Sequence, residues 1–368
     1  MRPLKIGISG TRGIPNRYGG FEQCAEYLAL GLAAKGHDVW VYNSHSHEYQ
    51  QDNWKGVHII HCQDPEDKMG TFGQFLYDRN CFKDARKRDF DILLQLGYTS
   101  SSIWHSMWPK GALNIVNMDG LEWKRSKYNK YVRQFLKRAE KWAAVHADKL
   151  VADSLGIQQY LQDKYKLPSV FIPYGAEVFT KPDASVLNAY GLSPYRYSML
   201  MARMEPENNV ETVIKGYLQS RRQEPLIIVG KTDNKFGQYL VQTYGGNSTI
   251  SFKGAIYDID IINNLRYHSV LYFHGHSVGG TNPSLLEAMA SNALIAAHDN
   301  AFNKTVLGQD AFYFSDPAGL AAIVDAVTDK GIYERFVAHN LEKIRSKYTW
   351  QGIVDAYESV FLDAMGSK

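Results

Sequence analysis

Residues 4–36 read LKIGISGTRGIPNRYGGFEQCAEYLALGLAAKG: an apolar run, a glycine-rich turn and an amphipathic repeat. Leu4–Ser9 is short and apolar enough for a strand buried on both faces. Phe21, Cys24, Ala25, Leu28 and Leu32 recur at helical spacing, and Gly36 stands where a helix closes on a left-handed residue. Strand, tight turn and helix in that order open a parallel βαβ unit. The alternation continues outward. Residues 38–42, 57–60, 91–96, 113–116 and 149–152 read as further strands, and the pattern restarts at 197–201, 226–229, 249–252, 270–273 and 294–297. Between the two runs, residues 174–194 carry Gly175, Pro182, Gly191 and Pro194, the composition of a linker.

This pattern predicts an α/β chain of two Rossmann-like doubly wound domains facing a cleft. Residues 1–180 form the first and 181–345 the second. A last helix, within 346–368, is placed to pack back on the first domain. The length of 368 residues agrees, being too much for one ordinary core. Apolar residues at 45% and charged residues at 21% exclude disorder, coiled coil and collagen.

The 41 basic side chains against 38 acidic ones leave +3, too little to suggest nucleic acid as partner. The charge is nevertheless uneven: residues 121–141 hold eight Lys/Arg against Glu122 and Glu140. Tyr128, Tyr131, Val132, Phe135, Leu136, Ala139 and Trp142 form an apolar stripe beside those cations. That is the pattern of a helix lying on anionic lipid, or of a solvated face over an ordinary core contact. Three cysteines without CxxC spacing fit a reducing compartment. No signal-peptide core or run of about 18 apolar residues is seen, so the expectation is a cytoplasmic protein, at most docked on the inner face of the cell membrane.

Doubly wound sheets bind ligands in the loops that follow their strands. After the first strand, Gly19 and Gly20 open a helix where backbone N–H groups could meet a phosphate or a sugar hydroxyl, with Arg12 and Arg17 adding charge. Turn shape alone is the other reading of the same glycines. After strand 197–201 comes MARMEPENNV, where Arg203 is placed to hold an anion. After strand 226–229 comes Lys231. After strand 270–273, HGHSVGGTNPSLLEAMA leads through Gly279, Gly280, Thr281 and Asn282 into a helix opened by Pro283 and Ser284, a site for phosphate, with Glu287 about one turn in. A carboxylate there suits ribose hydroxyls. In residues 117–124, NMDGLEWK, Asp119 and Glu122 are carboxylates for acceptor or donor-sugar contacts or for general base work.

GTRGIPNRYGGFE at 10–22, NMDGLEWKR at 117–125, IPYGAE at 172–177, ARMEPENN at 202–209 and HSVGGTNPSLLEAM at 276–289 together resemble family 4 glycosyltransferases of the GT-B fold, nearest the bacterial rhamnosyltransferase branch. The resemblance implies a retaining hexosyltransferase needing no metal and no cofactor. It implies a nucleotide-diphosphate donor, dTDP-rhamnose before UDP- or GDP-sugars, and a lipid-linked or oligosaccharide acceptor in capsule or other polysaccharide synthesis. Arg203, Asp119 and Glu122 would be catalytic. Gly19, Gly20, Arg203, Lys231, Gly279 to Asn282, Ser284 and Glu287 would bind the donor. Two positions depart from the family: the first Glu of its ExxxxxxxE motif is Gly279, and its phosphate-clamp Lys is Asn208.

Other patterns give rival readings. Gly7, Gly10 and Gly13 with Tyr160 and Lys164 match the GxxGxxG and YxxxK of NAD-dependent short-chain epimerases and dehydrogenases, although residues 41–44 lack the acid that would hold an adenine ribose. Asp258 and Asp260 form a DxD that metal-dependent transferases use, or Asp258 caps a helix. His45/His47 and His274/His276 are HxH pairs without acidic or Cys partners nearby. Gly279 and Asn208 would suit a non-catalytic scaffold with the same fold.

Overall fold

A computed structural model describes residues 2–17, 19–125 and 128–366. The chain divides into two compact units, Met1–Tyr174 with Trp350–Lys368, and Gly175–Thr349. The division falls at 174/175 and 349/350, a few residues from the boundaries near 180 and 345 expected from the linker composition.

In the first unit the strands are β1 (Lys5–Ser9), β2 (Asp38–Ser44), β3 (Asn53–Trp54), β4 (Val57–Cys62), β5 (Ile92–Leu96), β6 (Leu113–Asn117), β7 (Lys149–Ala152) and β8 (Val170–Phe171). They lie in the order β3-β4-β2-β1-β5-β6-β7-β8, parallel throughout except for the short β3. Ile6, Ile8, Ile92, Leu93, Leu94, Ile115 and Val116 are fully buried, as a sheet covered on both faces requires. The helix Gly20–Ala34 covers one face. The last helix, Trp350–Gly366, lies against it: the rings of Tyr27 and Trp350 stack at 4.3 Å, and a Cβ on Gly31 would come within 2.5 Å of Val354.

The second unit contains β9 (Ser198–Met201), β10 (Leu226–Val229), β11 (Ile250–Gly254), β12 (Tyr272–His274), β13 (Ile295–His298) and β14 (Phe312–Phe314), all parallel in the order β11-β10-β9-β12-β13-β14. Strand order reverses between β9 and β12, and in the first unit between β1 and β5. Loops leaving the carboxyl ends of those strands are the ones a doubly wound fold offers to ligands. Most helices start on side-chain caps, as at Asn129, Ser154, Asn234, Asn282, Asn300 and Asp316. Asp258 is such a cap, accepting from the amides of Asp260 and Ile261, so one carboxylate of the DxD is committed to the helix Ile259–Tyr267.

Candidate active site

At the switch point of the second sheet, Arg203 leaves β9 and the segment Gly275–Asn282 leaves β12. Three contacts tie the two loops together, and a fourth braces the first from within. Asn209 Nδ2 donates to the Gly275 carbonyl at 2.8 Å, and the Ser277 amide and hydroxyl both donate to the Glu207 carbonyl, at 3.1 and 2.8 Å. Asn208 Nδ2 donates to the carbonyl of Arg203 itself at 2.8 Å. Asn208 is buried, so the residue standing at the family's lysine position braces the loop from inside; it supplies no cation. Gly275 is held where a Cβ would lie 2.1 Å from the Asn208 carbonyl oxygen, which excludes any larger residue.

The brace leaves the Arg203 side chain exposed, and its guanidinium has no hydrogen bond or ion pair among the described residues. Lys231, after β10, has its ammonium 5.9 Å from the centre of the Tyr257 ring.

Gly279 has φ of 134°, a conformation closed to a side chain such as the glutamate that family 4 carries there. The helix Pro283–Ala290 follows, and its entrance differs from the sequence expectation. Pro283 has no N–H, the Ser284 amide is taken by Asn282 Oδ1 at 3.0 Å, and the Leu285 amide by the Asn282 carbonyl. The first turn is therefore spent on its own cap. The amides of Gly279 and Gly280, one step earlier, donate to no other group among the described residues. A small, open pocket lies over this loop, lined by His276, Gly279, Gly280, Asn282, Phe302 and Asn303 among others. Beneath it His274 is fully buried with its ring stacked 4.5 Å from that of His276. Burial first, then the neighbouring His276 and Arg266, hold His274 well below its ordinary range, so it is neutral.

Glu287 lies where the sequence put it, one turn along, and half-buried. Its Oε2 meets Arg266 Nη2 at 2.7 Å, and Arg266 has no exposed surface. Sequence reading missed Arg266: within DIDIINNLRYHS it looks like one more surface cation at a helix end, and nothing local announces a partner 21 residues away.

In the first unit the arrangement departs further from expectation. Gly20 begins the helix Gly20–Ala34 and Gly19 caps it, but the neighbouring carboxylates fill the loop. Glu22, buried, accepts from the Arg12 amide at 2.9 Å, and Glu26 accepts from the Asn16 amide. Arg12 turns away to a bidentate pair with Glu66 at 2.7 and 3.0 Å, and Arg17 stands 3.5 Å from Glu48. With carboxylates at the helix entrance, a sugar hydroxyl suits this loop better than a phosphate. Gly10 and Gly13 have φ of 84° and 127°, and a Cβ on them would come within 2.2 Å of the Leu96 carbonyl and 2.4 Å of Asn43. Turn shape accounts for both.

Asp119 has φ of 37°, and its amide bonds Asn117 Oδ1 at 3.0 Å. Its electrostatic neighbour is Asp153, just beyond β7; burial, then Asp119, raises the Asp153 carboxyl well above the usual range. Glu122 is paired instead with Arg125, at 2.7 and 2.8 Å. The carboxylates read as a pair from the sequence thus have different partners. Tyr160 and Lys164 converge on buried Glu140, which also accepts from Trp123 Nε1 and the Tyr165 hydroxyl. A dehydrogenase tyrosine must shed its proton readily, whereas burial and the bond to Glu140 push the Tyr160 phenol upward. The YxxxK spacing is a structural cluster. His45 and His47 brace their loop, accepting from the amides of Asp64 and Tyr49.

A sequence family described only as a domain of unknown function (DUF1972) matches residues 4–177, just under half of the chain. No curated protein matches the sequence. Among solved structures, sucrose-phosphate synthase from Thermosynechococcus elongatus aligns at 16% identity, TM-score 0.80, over 99% of this chain and 100% of that one. HepE of Anabaena, solved with UDP-glucose, aligns at 13% identity, TM-score 0.76, over 99% and 100%. A glycosyltransferase from Rickettsia africae aligns at 12% identity, TM-score 0.71, over 100% of both chains. At such identities the likeness carries the fold: this chain has the GT-B architecture of glycosyltransferases, with two parallel-sheet units.

Proposed function

We propose that the protein is a retaining glycosyltransferase that moves a sugar, L-rhamnose from dTDP-rhamnose in the first instance, to a lipid-linked or oligosaccharide acceptor in cell-surface polysaccharide synthesis. The observation that carries this reading is the placing, in loops that leave the adjacent strands β9 and β12 at one switch point, of Arg203, whose guanidinium has no partner among the described residues, and of the Gly279 and Gly280 amides, with Glu287 one turn into the helix that follows. Cation and amides suit a diphosphate; a carboxylate suits ribose hydroxyls. The GT-B fold and the UDP-glucose held by HepE support the same assignment. The rhamnosyl donor rests on the motif resemblance.

In the proposed reaction the acceptor hydroxyl attacks the anomeric carbon on the face the diphosphate leaves. The C1–O bond to phosphate breaks, and the departing phosphate oxygen takes the hydroxyl proton. Arg203 and the two glycine amides stabilise charge on the leaving group. Asp119 orients the acceptor; Glu122, fixed by Arg125, shapes that loop. No step calls on a metal or cofactor.

The basic helix Lys130–His146 supports docking on anionic membrane. Tyr131 is 71% exposed, Val132 is exposed beside it and Val145 at the other end of the helix, so the apolar stripe is only partly spent on the core, which takes Leu136 and Ala139. Phe72 and Met69 add exposed apolar surface from the neighbouring chain segment, Phe72 stacking on Phe75 and Phe75 meeting Phe135. Lys127 of the same basic run lies outside the described residues. Among the described residues no helix is long and apolar enough to cross a membrane.

Thermal-shift measurement across dTDP, UDP, GDP and NAD, followed by transfer assays with the matching sugar nucleotide, tests the reading. Stabilisation by a nucleoside diphosphate and release of that diphosphate are expected; stabilisation by NAD alone would overturn it.

A further inference from the structure

Arg266 is the most deeply buried charge in the second unit, and nothing in the proposed reaction explains why it is there. It sits on the last turn of the helix Ile259–Tyr267, without solvent contact. Placing a guanidinium there is costly unless its donors are met, and Nε has no acceptor among the described residues. Nη2 donates to Glu287 Oε2 at 2.7 Å and approaches Met201 Sδ at 3.4 Å; Nη1 donates to Asn263 Oδ1 at 3.2 Å. Ser291 Oγ stands between Asn263 Oδ1 at 2.9 Å and the Glu287 carbonyl at 2.6 Å, its one proton shared between these two acceptors. The guanidinium lies 5.8 Å from the centre of the Tyr272 ring. Arg266 therefore touches the end of β9 just before Arg203, the first residue of β12, and both the side chain and, through Asn263 and Ser291, the backbone of Glu287.

A cation meant only to balance Glu287 need not be buried, because the Glu287 side chain keeps 17% of its surface open to solvent and could be met from that side. A buried, planar guanidinium does something water cannot: it fixes one carboxylate oxygen in place and so orients the whole group. We propose that Arg266 is the positioning residue of the nucleotide site, setting the rotamer in which Glu287 meets the ribose hydroxyls and anchoring it to β12 and to the end of β9 that leads into Arg203. This rests on the proposed nucleotide role of Glu287.

The test separates the two. Affinities of UDP, dTDP and inorganic pyrophosphate are measured by calorimetry for the wild type, Arg266→Met, Arg266→Lys, Asn263→Ala, Glu287→Gln and the Arg266→Met/Glu287→Gln double variant. Arg266→Met should weaken both nucleotides about tenfold or more yet leave pyrophosphate unchanged, and should add nothing in the Glu287→Gln background. Asn263→Ala should give a smaller loss of the same kind, and Arg266→Lys should recover part of the affinity. A merely structural Arg266 would weaken pyrophosphate as much as the nucleotides, and additively with Glu287→Gln; that result overturns the inference. If Arg266→Met does not fold, the Lys and Asn263 variants decide by the same criteria. Nucleotide binding unchanged in Glu287→Gln would overturn the site itself, a different outcome from normal binding in the Arg266 variants alone.

Discussion

Single residues here do work that their type alone does not announce. Arg203 is exposed and has no side-chain partner among the described residues, while Asn208 grips its carbonyl, so removing its side chain should touch chemistry and not folding. Arg203→Ala should lower turnover by about 100-fold or more with an unchanged circular dichroism spectrum and melting temperature. Asn208 is the converse. Asn208→Lys should not restore a phosphate cation; it removes a buried bond and should cost about 1–3 kcal/mol, read from denaturant unfolding, with donor affinity reduced. Asp78, on the helix Thr71–Ala85, is buried; that burial, opposed by a hydrogen bond from Ser100 and the charge of Arg12, raises its carboxyl to about 7. The unfolded group releases its proton near 3.8, so the native chain binds the extra proton between the two values. Stability should fall as pH rises through that window and level off above it. Asp78→Asn should abolish the fall, giving a melting temperature above that of the wild type at pH 8 and equal to it at pH 4.

At the scale of elements, the glycine turns and helix caps set where loops point. The turn after β1 brings Gly10 against the Leu96 carbonyl at the end of β5, with φ of 84°. Gly10→Ala combines a forbidden dihedral with a backbone clash and should destabilise by more than about 1 kcal/mol, visible as a lowered urea midpoint. The helix Lys130–His146 keeps Tyr131, Val132 and Val145 in solvent, with Lys130, Lys137, Arg138 and Lys141 also exposed. Each cation near an anionic surface contributes about 1 kcal/mol. Neutralising those four should abolish flotation with phosphatidylglycerol vesicles while leaving transfer to a soluble acceptor intact; flotation that persists removes the docking role.

For the molecule as a whole, the chain returns to its first unit at the end. Ile353, Val354, Tyr357 and Phe361 are buried, Tyr357 accepts from Asn117 at 3.1 Å, and Lys35 and His37 pair with Glu358. Ending the chain at Thr349 would bare the Tyr27 and Gly31 face of the helix Gly20–Ala34. The truncated protein should lose cooperative thermal unfolding and bind a hydrophobic dye, a result calorimetry and fluorescence would read directly.

Local periodicity was enough to assign α/β class, most strands to within two residues, the helix at Pro283 and the placing of Glu287, because burial on both faces of a parallel strand and helical spacing leave their mark within a few consecutive residues. The short strands Asn53–Trp54, Val170–Phe171 and Phe312–Phe314 left no such mark. The partners of charged groups were not legible either: Arg266 to Glu287, Arg12 to Glu66, Tyr160 and Lys164 to Glu140, and Asp119 beside Asp153. Ion pairing depends on distance in space, and residues 20 to 54 positions apart meet only after the sheet has fixed its strand order. The sequence could therefore say which residues carry charge near the strand ends, while the tertiary structure alone decided which charges are already spent and which remain for a ligand.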